Sequence, residues 1–548
     1  MQRCGTAASD YTRPLMKILL VNWVRPSMGT ALGGGVSGYC QQLGLELASR
    51  GHDVCWLAGG QIYTPDSAGD PGPCAVRRTD DFAGRPVFEV VNSPVVSPGP
   101  CQAREPGPEI AAPVLEAELR RFLDLLEPDI VHFHNLEGFS AGCLRIAAQP
   151  GPSGRRARVI FSLHNYHTVC PQVYLMQRGR VPCTDSDQGR LCPGCLEPID
   201  PAAERARRAR EFAAIRSWAP APAPPPPAPD PGLLTRLGLA RTAPPPPALP
   251  PAPPPPVFGT PVSVFLDVTV RRTDSPRPLA PVPDHLTPLD NTISPEPVPP
   301  PGASPHGDRR AANVRALSNC DRVIAVSRFV ANKFASLGVD ARRISVLPLG
   351  TRMVEIAAEA RSRLSPPPAS PRLRLAFIGY CNFFKGLHVL LDALGQLPTS
   401  VSAEIDLLVA GTGVDQHASR LEALRPALGA LRTHGGYAYH EIPWLLADRD
   451  LGVVPSVWWD NGPQTVMEFF ACGVPVLGAG VGGIPDWVSP GVNGLLFRAN
   501  DRADLAANLA ELVQDRRRVQ ALRAGVTEPR SMGRHAEELE AIYAETLG

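Results

Sequence analysis

The sequence predicts an α/β protein of two doubly wound domains, each a parallel sheet covered by helices, with a cleft between them. Apolar strand-like segments alternate with helical stretches in two series, which begin at residues 16–23 and 373–380. Within residues 450–497, a strand, a loop, a helix and a second strand follow one another, which is the unit of a parallel sheet. Such sheets bind ligands at the carboxyl ends of their strands, so we expect the functional site there.

The first series supplies the elements of one domain. A glycine-rich loop follows its first strand, and apolar spacing then predicts a helix from Val36 that ends at Gly51. Another helix is expected at residues 113–127. Further strand-like segments lie at residues 52–59, 86–93, 129–135, 158–165, 322–329 and 344–350.

The second series supplies the other domain. Its further strand-like segments lie at residues 404–411, 431–437, 450–456 and 475–480, and a helical stretch ends the sequence. We therefore expect a first domain of residues 15–200 and 307–350, a second domain of residues 351–527, and a C-terminal helical segment of residues 528–548.

Residues 201–306 interrupt the first series as a proline-rich insertion that we expect to be largely disordered. Proline is densest at residues 219–256, and this composition favours polyproline II or disorder over helix and central strand. A tolerated loop insertion is favoured over a docking segment for an SH3-like partner, and a locally corrupted reading frame is a third interpretation.

Composition excludes several classes of protein. The 548 residues include 54 Lys and Arg against 53 Asp and Glu, so the net charge of +1 gives no electrostatic basis for nucleic-acid binding. The 13 cysteines are odd in number and mostly scattered, which favours a reducing compartment. Apolar runs stay below the roughly eighteen residues that span a bilayer. Residues 1–14 indicate a disordered leader and no secretory signal, so a cytoplasmic protein is expected.

Two acids stand close together in the strand–loop–helix–strand stretch. Asp460 lies in the loop after a short apolar strand, and Glu468 lies about one turn into the helix, so both can face one cleft. The helix begins near Gln464, beside Asn461 and Gly462. Its free N–H groups and its dipole can hold an anion.

This stretch resembles the C-terminal signature of the retaining, nucleotide-sugar-dependent glycosyltransferases of family four, which have the GT-B fold. Their pattern is Glu, seven residues, Glu, and then Gly-x-Pro-Val; here Asp460 and Glu468 have that spacing and Gly-Val-Pro-Val follows. The first acid is therefore one methylene shorter than in the family. The resemblance implies that residues 528–548 pack back on the first domain.

The resemblance also implies a reaction and its partners. A sugar would pass from a nucleotide-diphosphate sugar to a glycan or lipid-linked acceptor, with retention at the anomeric carbon, in polysaccharide or glycolipid biosynthesis. No metal or other cofactor would be required for the chemistry, because cations and a helix N-terminus stabilise the leaving diphosphate.

The glycine-rich loop formally satisfies the dinucleotide-binding pattern G-x-G-x-x-G at residues 33–38. It lies ten residues beyond its strand, and the next strand ends without the acid that would hold a ribose, so a dehydrogenase is disfavoured. The loop resembles the opening glycine motif of the family, where Gly34 and Gly35 would lie over the donor phosphates. The alternative is a glycine turn that closes a helix onto the sheet.

Pairs of histidines follow two neighbouring strands, His132 with His134 and His164 with His167. One histidine at such a place is usually structural, but two pairs at adjacent carboxyl edges favour a site. By resemblance, His164 would lie beside the sugar and the reacting carbon. His134 and Asn135 would shape the acceptor side.

Lys385 lies in a loop between a strand and a helix, a position that suits a diphosphate. The family usually has Arg as well as Lys in this loop, and Tyr380 stands where that Arg would be. Arg328, in a segment that resembles the family's Ser-Arg motif, is expected to compensate. The predicted catalytic residues are His164, Asp460 and Lys385. The predicted donor-binding residues are Gly34, Gly35, Arg328, Lys385, Asp460, Asn461, Gly462, Gln464, Thr465 and Glu468.

Four cysteines cluster in the segment that follows His164, namely Cys170, Cys183, Cys192 and Cys195. The last two form a Cys-Pro-Gly-Cys turn, and four thiolates suit tetrahedral zinc. We therefore expect a structural zinc site, with reduced thiols in an acceptor-side loop as the alternative.

A basic stretch at residues 204–218 raises the question of membrane binding. Arg208 and Ile215 are seven apart and share a helix face, which makes this helix poorly amphipathic. We expect at most peripheral, salt-sensitive membrane contact.

Two other classes share this architecture. A GT-B epimerase or phosphorylase would have the same sheets, and the lack of a pyridoxal-binding lysine motif disfavours the phosphorylase. A catalytically weakened nucleotide-sugar-binding protein is favoured by Asp460, by Tyr380 and by the proline-rich insertion.

Overall fold

The computed structural model describes residues 15–218, 291–293, 298–364 and 370–548. Two α/β domains, each built on a largely parallel sheet, confirm the predicted fold class. The predicted leader, residues 1–14, and the proline-dense segment, residues 219–256, lie outside the described residues.

The first domain contains an eight-stranded sheet and a short hairpin. Its strands are β1 (Lys17–Val21), β2 (Asp53–Gly59), β3 (Ala75–Phe82), β4 (Arg85–Val91), β5 (Ile130–Phe133), β6 (Arg158–Leu163), β7 (Met176–Gln177), β8 (Val181–Pro182), β9 (Arg322–Ala325) and β10 (Ile344–Val346). The sheet order is β10-β9-β6-β5-β1-β2-β4-β3, and β7 pairs with β8. Helices are α1 (Gly29–Ser49), α2 (Gly107–Ile110), α3 (Pro113–Leu126), α4 (Ala141–Ala147), α5 (Pro201–Trp218), α6 (Pro305–Ser318) and α7 (Arg328–Ser336).

The second domain contains a six-stranded sheet in the order β13-β12-β11-β14-β15-β16. Its strands are β11 (Leu373–Ile378), β12 (Ile405–Ala410), β13 (Ala430–His434), β14 (Leu451–Val454), β15 (Val476–Ala479) and β16 (Gly494–Phe497). The remaining helices are α8 (Met353–Arg361), α9 (Leu387–Gly395), α10 (Thr399–Ser402), α11 (Ala418–Leu424), α12 (Ile442–Leu446), α13 (Gln464–Ala471), α14 (Arg502–Gln514), α15 (Arg516–Ala524) and α16 (Met532–Leu547). Central strands such as β5 and β14 are buried throughout, because helices cover both faces of a parallel sheet.

Helix α1 begins earlier than the sequence predicted. The predicted glycine-rich loop before Val36 is helical from Gly29, with one break at Gly34, whose φ is 60° and ψ is −157°. Only glycine adopts such a conformation readily, so Gly34 kinks the helix without ending it. None of the helices in the described ranges is long and apolar enough to cross a bilayer.

The expectation of a largely disordered insertion over residues 201–306 is wrong at its beginning. Residues 201–218 form α5, and Arg208 in that helix is 5% exposed. Its Nη1 donates to the carbonyl oxygens of Gly60 at 3.0 Å and Ser97 at 2.8 Å, while its Nε pairs with Glu204 at 2.7 Å. The arginine is buried because its donors are satisfied by the first domain.

The end of the insertion contacts the second domain. Asn291 exchanges two hydrogen bonds with the backbone of Gly482: its Nδ2 donates to the carbonyl at 3.0 Å, and its Oδ1 accepts the N–H at 2.7 Å. The chain then enters α6, whose N-terminus is capped by the side chain of Ser304.

Two segments cross between the domains and lie side by side. One leads from β10 to α8, and the other leads from the second domain into α16. The N–H of Thr351 donates to the carbonyl of Arg530 at 3.1 Å, and the N–H of Met532 donates to the carbonyl of Thr351 at 3.1 Å. Helix α16 then packs on the first domain, where Glu540 accepts from Arg50 at 2.5 Å.

Candidate active site

Lys385 and Asp460 form an ion pair at the carboxyl edge of the second sheet. Lys385 ends a 3-10 turn after β11, and its backbone N–H donates to the Asn382 side chain at 3.1 Å. Its Nζ lies 2.7 Å from Oδ2 of Asp460, which is 4% exposed and lies in the loop after β14. Both residues therefore lie in one place at the ends of neighbouring strands, where the sequence predicted a ligand.

Two glycines allow the loops that carry this ion pair to approach each other. Gly386 has φ 73°, and a Cβ there would lie 1.7 Å from the carbonyl oxygen of Pro455. Gly482 has φ 62°, and a Cβ there would lie 2.5 Å from the backbone N of Asp460. Any larger residue at either position would push the acidic loop away from its lysine.

Asn461 follows the acid and is buried without partners. It is 1% exposed, and neither Oδ1 nor Nδ2 of its amide has a hydrogen-bond partner among the described residues. The next residue, Gly462, packs on the first domain, since a Cβ there would lie 3.1 Å from Leu349 and 3.2 Å from Val326. A buried amide without partners costs free energy, so the predicted donor-binding role of Asn461 is compatible with its surroundings and stays a prediction.

The glycine segment of α1 meets the N-terminus of α13 from the other domain. The Gln464 side chain donates to the carbonyl of Gly35 at 3.1 Å. Thr465, the next residue, faces Gly379 at the end of β11, with its Cγ2 3.9 Å from the position of a Cβ there. No described side chain caps α13. The donor roles of Gly34, Gly35, Gln464 and Thr465 stay predictions.

Glu468 lies one turn further into α13 and influences two tyrosines electrostatically. Burial raises the pKa of Glu468 to about 7, and Lys385 partly offsets that rise. Burial, and after it the Glu468 carboxylate, raises the pKa of Tyr437 and of Tyr439. Sequence reasoning missed both tyrosines, although two aromatic residues at the end of the strand-like segment at residues 431–437 and just after it were a usable signal.

Three rings of the first domain pack together at the ends of β5 and β6 and on α1. Nε2 of His164 lies 3.0 Å from Nδ1 of His134, as the adjacent strand ends predicted. The Tyr39 ring lies 4.8 Å from the His164 ring and 5.7 Å from the His134 ring, between centroids. Burial lowers the pKa of His164 to about 3 and lowers that of His134 well below its usual value, so both are neutral at pH 7.

Asn135 directly follows His134 and is 2% exposed. Its Nδ2 donates to Oδ1 of Asn22 at 2.8 Å, and Asn22 donates to Oγ of Ser37 at 3.1 Å. These bonds tie the ends of β5 and β1 to α1. The predicted acceptor-side roles of His134 and Asn135 stay predictions.

Aromatic residues bridge the two domains beside the ion pair. The Tyr166 hydroxyl donates to the carbonyl of Trp459 at 2.9 Å. The Tyr174 ring stacks on the Phe384 ring, with centroids 3.8 Å apart and planes at 11°. Sequence reasoning missed these four residues, because they lie in irregular segments after β6, β11 and β14, where no periodicity indicates them.

Arg328, predicted to assist on the donor phosphates, begins α7 and engages Asp486 of the second domain. Its backbone N–H donates to Oδ2 at 2.5 Å, and its Nε lies 3.4 Å from Oδ1. The Arg328 side chain is 74% exposed. Its partner here is a carboxylate, and a role on phosphate stays a prediction.

The four clustered cysteines line one small cavity, together with Arg310 and a mixture of polar and apolar side chains. The N–H of Arg178 donates to Sγ of Cys195 at 3.1 Å. Within the described ranges, however, no three His, Cys, Asp or Glu side chains form a group that can hold a metal ion. The thiols share a cavity without forming a ready coordination sphere, so structural zinc stays a prediction.

Elemental analysis tests that prediction directly. If the four thiols close on a metal, the purified protein should contain about one zinc per chain, as a four-thiolate site requires. Cys192→Ser should lose the metal, whereas Cys472→Ser, outside the cavity, should keep it. Protein without stoichiometric zinc or iron would show that these are reduced thiols.

Two family models match the chain. Residues 33–182 match the model described as Glycosyltransferase Family 4, and residues 372–515 match the model described as Glycosyl transferases group 1. One match falls in each domain, and together they span more than half of the chain.

Curated relatives match a part of the chain. The protein WcaL of Salmonella typhimurium, described as a colanic acid biosynthesis glycosyltransferase, is 29% identical over 200 residues, which are 35% of this chain and 47% of that protein. The chain spans about half the length of the curated relatives it matches.

Two solved structures share the fold over nearly the whole chain. Sucrose-phosphate synthase from Thermosynechococcus elongatus has a TM-score of 0.52 at 14% identity, over 97% of this chain and 98% of that one. HepE of Anabaena in complex with UDP has a TM-score of 0.50 at 15% identity, over 97% of this chain and 100% of that one. At these identities the likeness shows the fold alone. The matches in both domains and the GT-B arrangement of the two sheets together show that the chain belongs to the family 4, group 1 glycosyltransferases.

Proposed function

We propose that this chain transfers a sugar from a nucleotide-diphosphate sugar to an acceptor hydroxyl, with retention at the anomeric carbon. The acceptor is a glycan or a lipid-linked molecule in polysaccharide or glycolipid biosynthesis, in keeping with the colanic acid relative. The chemistry needs no metal in this proposal, because a lysine and a helix N-terminus stabilise the leaving group.

The observation that carries the proposal is the hydrogen bond of 2.9 Å from the Tyr166 hydroxyl to the Trp459 carbonyl. Tyr166 lies two residues after His164, and Trp459 directly precedes Asp460. The bond therefore supports a site to which both domains contribute candidate groups. Transfer between two bound substrates requires such an enclosed, oriented site.

Charge would develop on the β-phosphate as the bond to the sugar breaks. Lys385 and the N-terminus of α13 support its stabilisation, because both present positive charge at the carboxyl edge of the second sheet. Asp460 already holds the lysine at 2.7 Å, so Lys385 needs little reorganisation when a diphosphate arrives.

The remaining groups would hold the donor and the reacting carbon. Asp460 and the partnerless amide of Asn461 would bind sugar hydroxyls, and Glu468 would bind the ribose. His164 would lie over the oxocarbenium-like centre. Since burial keeps His164 neutral, it would present a dipole and a lone pair there without repelling the developing positive charge.

A donor screen followed by product analysis tests the proposal. A donor present at many times its dissociation constant should raise the melting temperature, with UDP-sugars tried first because HepE was solved with UDP. The stabilising donor should then be hydrolysed slowly, with release of nucleoside diphosphate, and NMR should show the transferred sugar with its original anomeric configuration. Failure of every nucleotide sugar to stabilise or to react would overturn the proposal.

A catalytically weakened nucleotide-sugar-binding protein is the second candidate. Tyr380 in place of the family's Arg, and Asp460 in place of Glu, favour it. Such a protein would be stabilised by a donor without releasing nucleoside diphosphate, so the same experiment separates the two candidates.

Donor affinity should depend on pH through Glu468. Its pKa of about 7 means that the carboxylate, the better acceptor for ribose hydroxyls, forms as pH rises through 7. Nucleotide affinity measured by calorimetry should therefore increase between pH 6 and pH 8. Glu468→Gln should bind the nucleotide more weakly, and its affinity should not increase between pH 6 and pH 8. The same increase in that variant would contradict the role of Glu468 in binding the ribose.

The ligand-free protein should show the opposite trend. Because the folded-state pKa lies above the ordinary value of 4.5, the contribution of Glu468 to stability is fully present below pH 4.5. It is lost as pH rises to about 7, and Glu468→Gln should remove that loss.

A further inference from the structure

His535, on the C-terminal helix α16, contacts the segment that leads from β10 to α8. Through Tyr39 it is also connected to His164, the proposed catalytic histidine. His535 is 1% exposed. Its Nδ1 lies 3.1 Å from the carbonyl oxygen of Pro348, in the segment that leads from β10 to α8. Its Nε2 lies 2.6 Å from the hydroxyl of Tyr39 in α1. One imidazole thus bonds to two elements that are far apart in sequence.

These two contacts define the protons of His535. A carbonyl oxygen only accepts, so Nδ1 must carry the hydrogen and donate to Pro348. Burial lowers the pKa of His535 to about 4, so the ring is neutral and Nε2 is left as the acceptor. The Tyr39 hydroxyl therefore donates to His535.

The Tyr39 ring transmits this restraint to the site. Its hydroxyl is directed at His535, while its ring centroid lies 4.8 Å from that of His164 and 5.7 Å from that of His134. Tyr39 is 4% exposed, so it is enclosed between these rings. A side chain fixed at its hydroxyl end can hold the neighbouring imidazole in one orientation.

A second contact from the same helix supports the neighbouring histidine. The Tyr543 hydroxyl lies 2.7 Å from Nδ1 of His132, whose Nε2 lies 2.8 Å from Oγ of Ser162. The His132 and His134 rings lie 4.1 Å apart between centroids. Helix α16 thus supports these histidines in two ways, directly through Tyr543 and by way of Tyr39 through His535.

We infer that His535 is a positioning residue, which fixes Tyr39 against His164 and thereby sets the orientation of that imidazole for sugar transfer. The inference rests on the proposed function, in which His164 lies at the reacting carbon. It adds that a helix from the far end of the chain, bonded to the crossing segment, completes the site of the first domain.

Two isosteric variants of His535 separate its two bonds. The amide nitrogen of Asn reaches the position of Nδ1, so His535→Asn keeps the hydrogen bond to Pro348 and loses the hydrogen bond from Tyr39. The amide oxygen of Gln reaches the position of Nε2, so His535→Gln keeps the acceptor for Tyr39. Tyr39→Phe removes the hydroxyl and keeps the ring.

We expect His535→Asn and Tyr39→Phe each to lower kcat by ~10–10²-fold, the scale of a catalytic group displaced by a remote change. Donor KM should change little. The loss of kcat in the double variant should be no greater than in either single variant, because both substitutions break the same hydrogen bond. His535→Gln should retain most of kcat, and His440→Asn, at an exposed histidine, should be unchanged.

The inference is overturned if His535→Asn lowers the melting temperature but keeps kcat, if His535→Gln is as slow as His535→Asn, or if the losses of His535→Asn and Tyr39→Phe add.

If wild-type protein turns over no donor, the proposed function fails. The positioning role is then decided by NMR of 15N-histidine-labelled protein, with His164 assigned through His164→Gln. Its ring signals should shift in His535→Asn and Tyr39→Phe and stay in place in His535→Gln; unmoved signals in all three would overturn it.

Discussion

Replacing Lys385 by alanine is expected to lower turnover by ~10²–10³-fold, the loss typical of one preorganised charge-stabilising group. Lys385 is held 2.7 Å from Asp460, so in the proposed reaction its charge is already in place when the leaving diphosphate forms. Steady-state kinetics with a donor found in the screen would measure this loss. Nucleotide affinity should fall much less, because the charge acts chiefly on the transition state.

The control must allow for the acid that Lys385→Ala leaves behind. Asp460 is 4% exposed, and a buried carboxylate without its cation destabilises the loop. Lys385→Ala combined with Asp460→Asn removes that charge and should stay slow, with the melting temperature recovered. Wild-type turnover in Lys385→Ala, together with a lowered melting temperature, would show that the pair is only structural.

The largest effect on stability is expected at Glu109, where Glu109→Gln should cost about 3–5 kcal/mol. Glu109 and Arg309 are 3% and 1% exposed, and their side chains make two contacts of 2.7 and 2.8 Å. Nε2 of His167 lies 3.0 Å from the same carboxylate. Removing the acid leaves the arginine charge buried without its partner. Denaturant unfolding would measure the loss.

An exposed pair provides the matched control. Arg363 and Glu359 are each 66% exposed and lie 2.7 Å apart, so Glu359→Gln should change stability by at most about 0.5 kcal/mol. Adding Arg309→Met to Glu109→Gln should recover much of the loss, because no charge then stays buried. Equal effects of Glu109→Gln and Glu359→Gln would contradict this account.

The buried acid should also make stability depend on pH. Burial opposes ionisation, yet the Arg309 guanidinium and His167 hold the pKa of Glu109 at about 2. Its contribution is therefore present above the ordinary value of 4.5 and is lost as pH falls towards 2.

Much of the fold follows from sequence patterns, and the missed elements have physical reasons. Buried strands were predicted because they are apolar along their length. Strand β3 was missed because it is an antiparallel edge strand whose Arg77 and Arg78 face solvent. Helix α5 was missed as part of the domain because buried Arg208 looks like a surface residue until its carbonyl partners are known.

The proximity of some candidate site residues could also be predicted from sequence patterns. Lys385, Asp460 and the His134–His164 pair follow strand ends, and strand order brings strand ends together. Partners such as Tyr39 and His535 are 496 positions apart in the sequence. No periodicity links such residues, so only the packing of α16 on the first domain places them together.

The two crossing segments lie side by side, joined between Thr351 and residues 530–532. Because both connections between the domains lie at one place, the domains can rotate relative to each other about that place. A rotation that separates the two domains would leave these backbone hydrogen bonds almost unchanged. A twist of one domain about the long axis of the molecule would instead break these hydrogen bonds. We therefore expect any relative motion of the two domains to be mainly a rotation about this place, which would return His164 and Asp460 to the same relative positions.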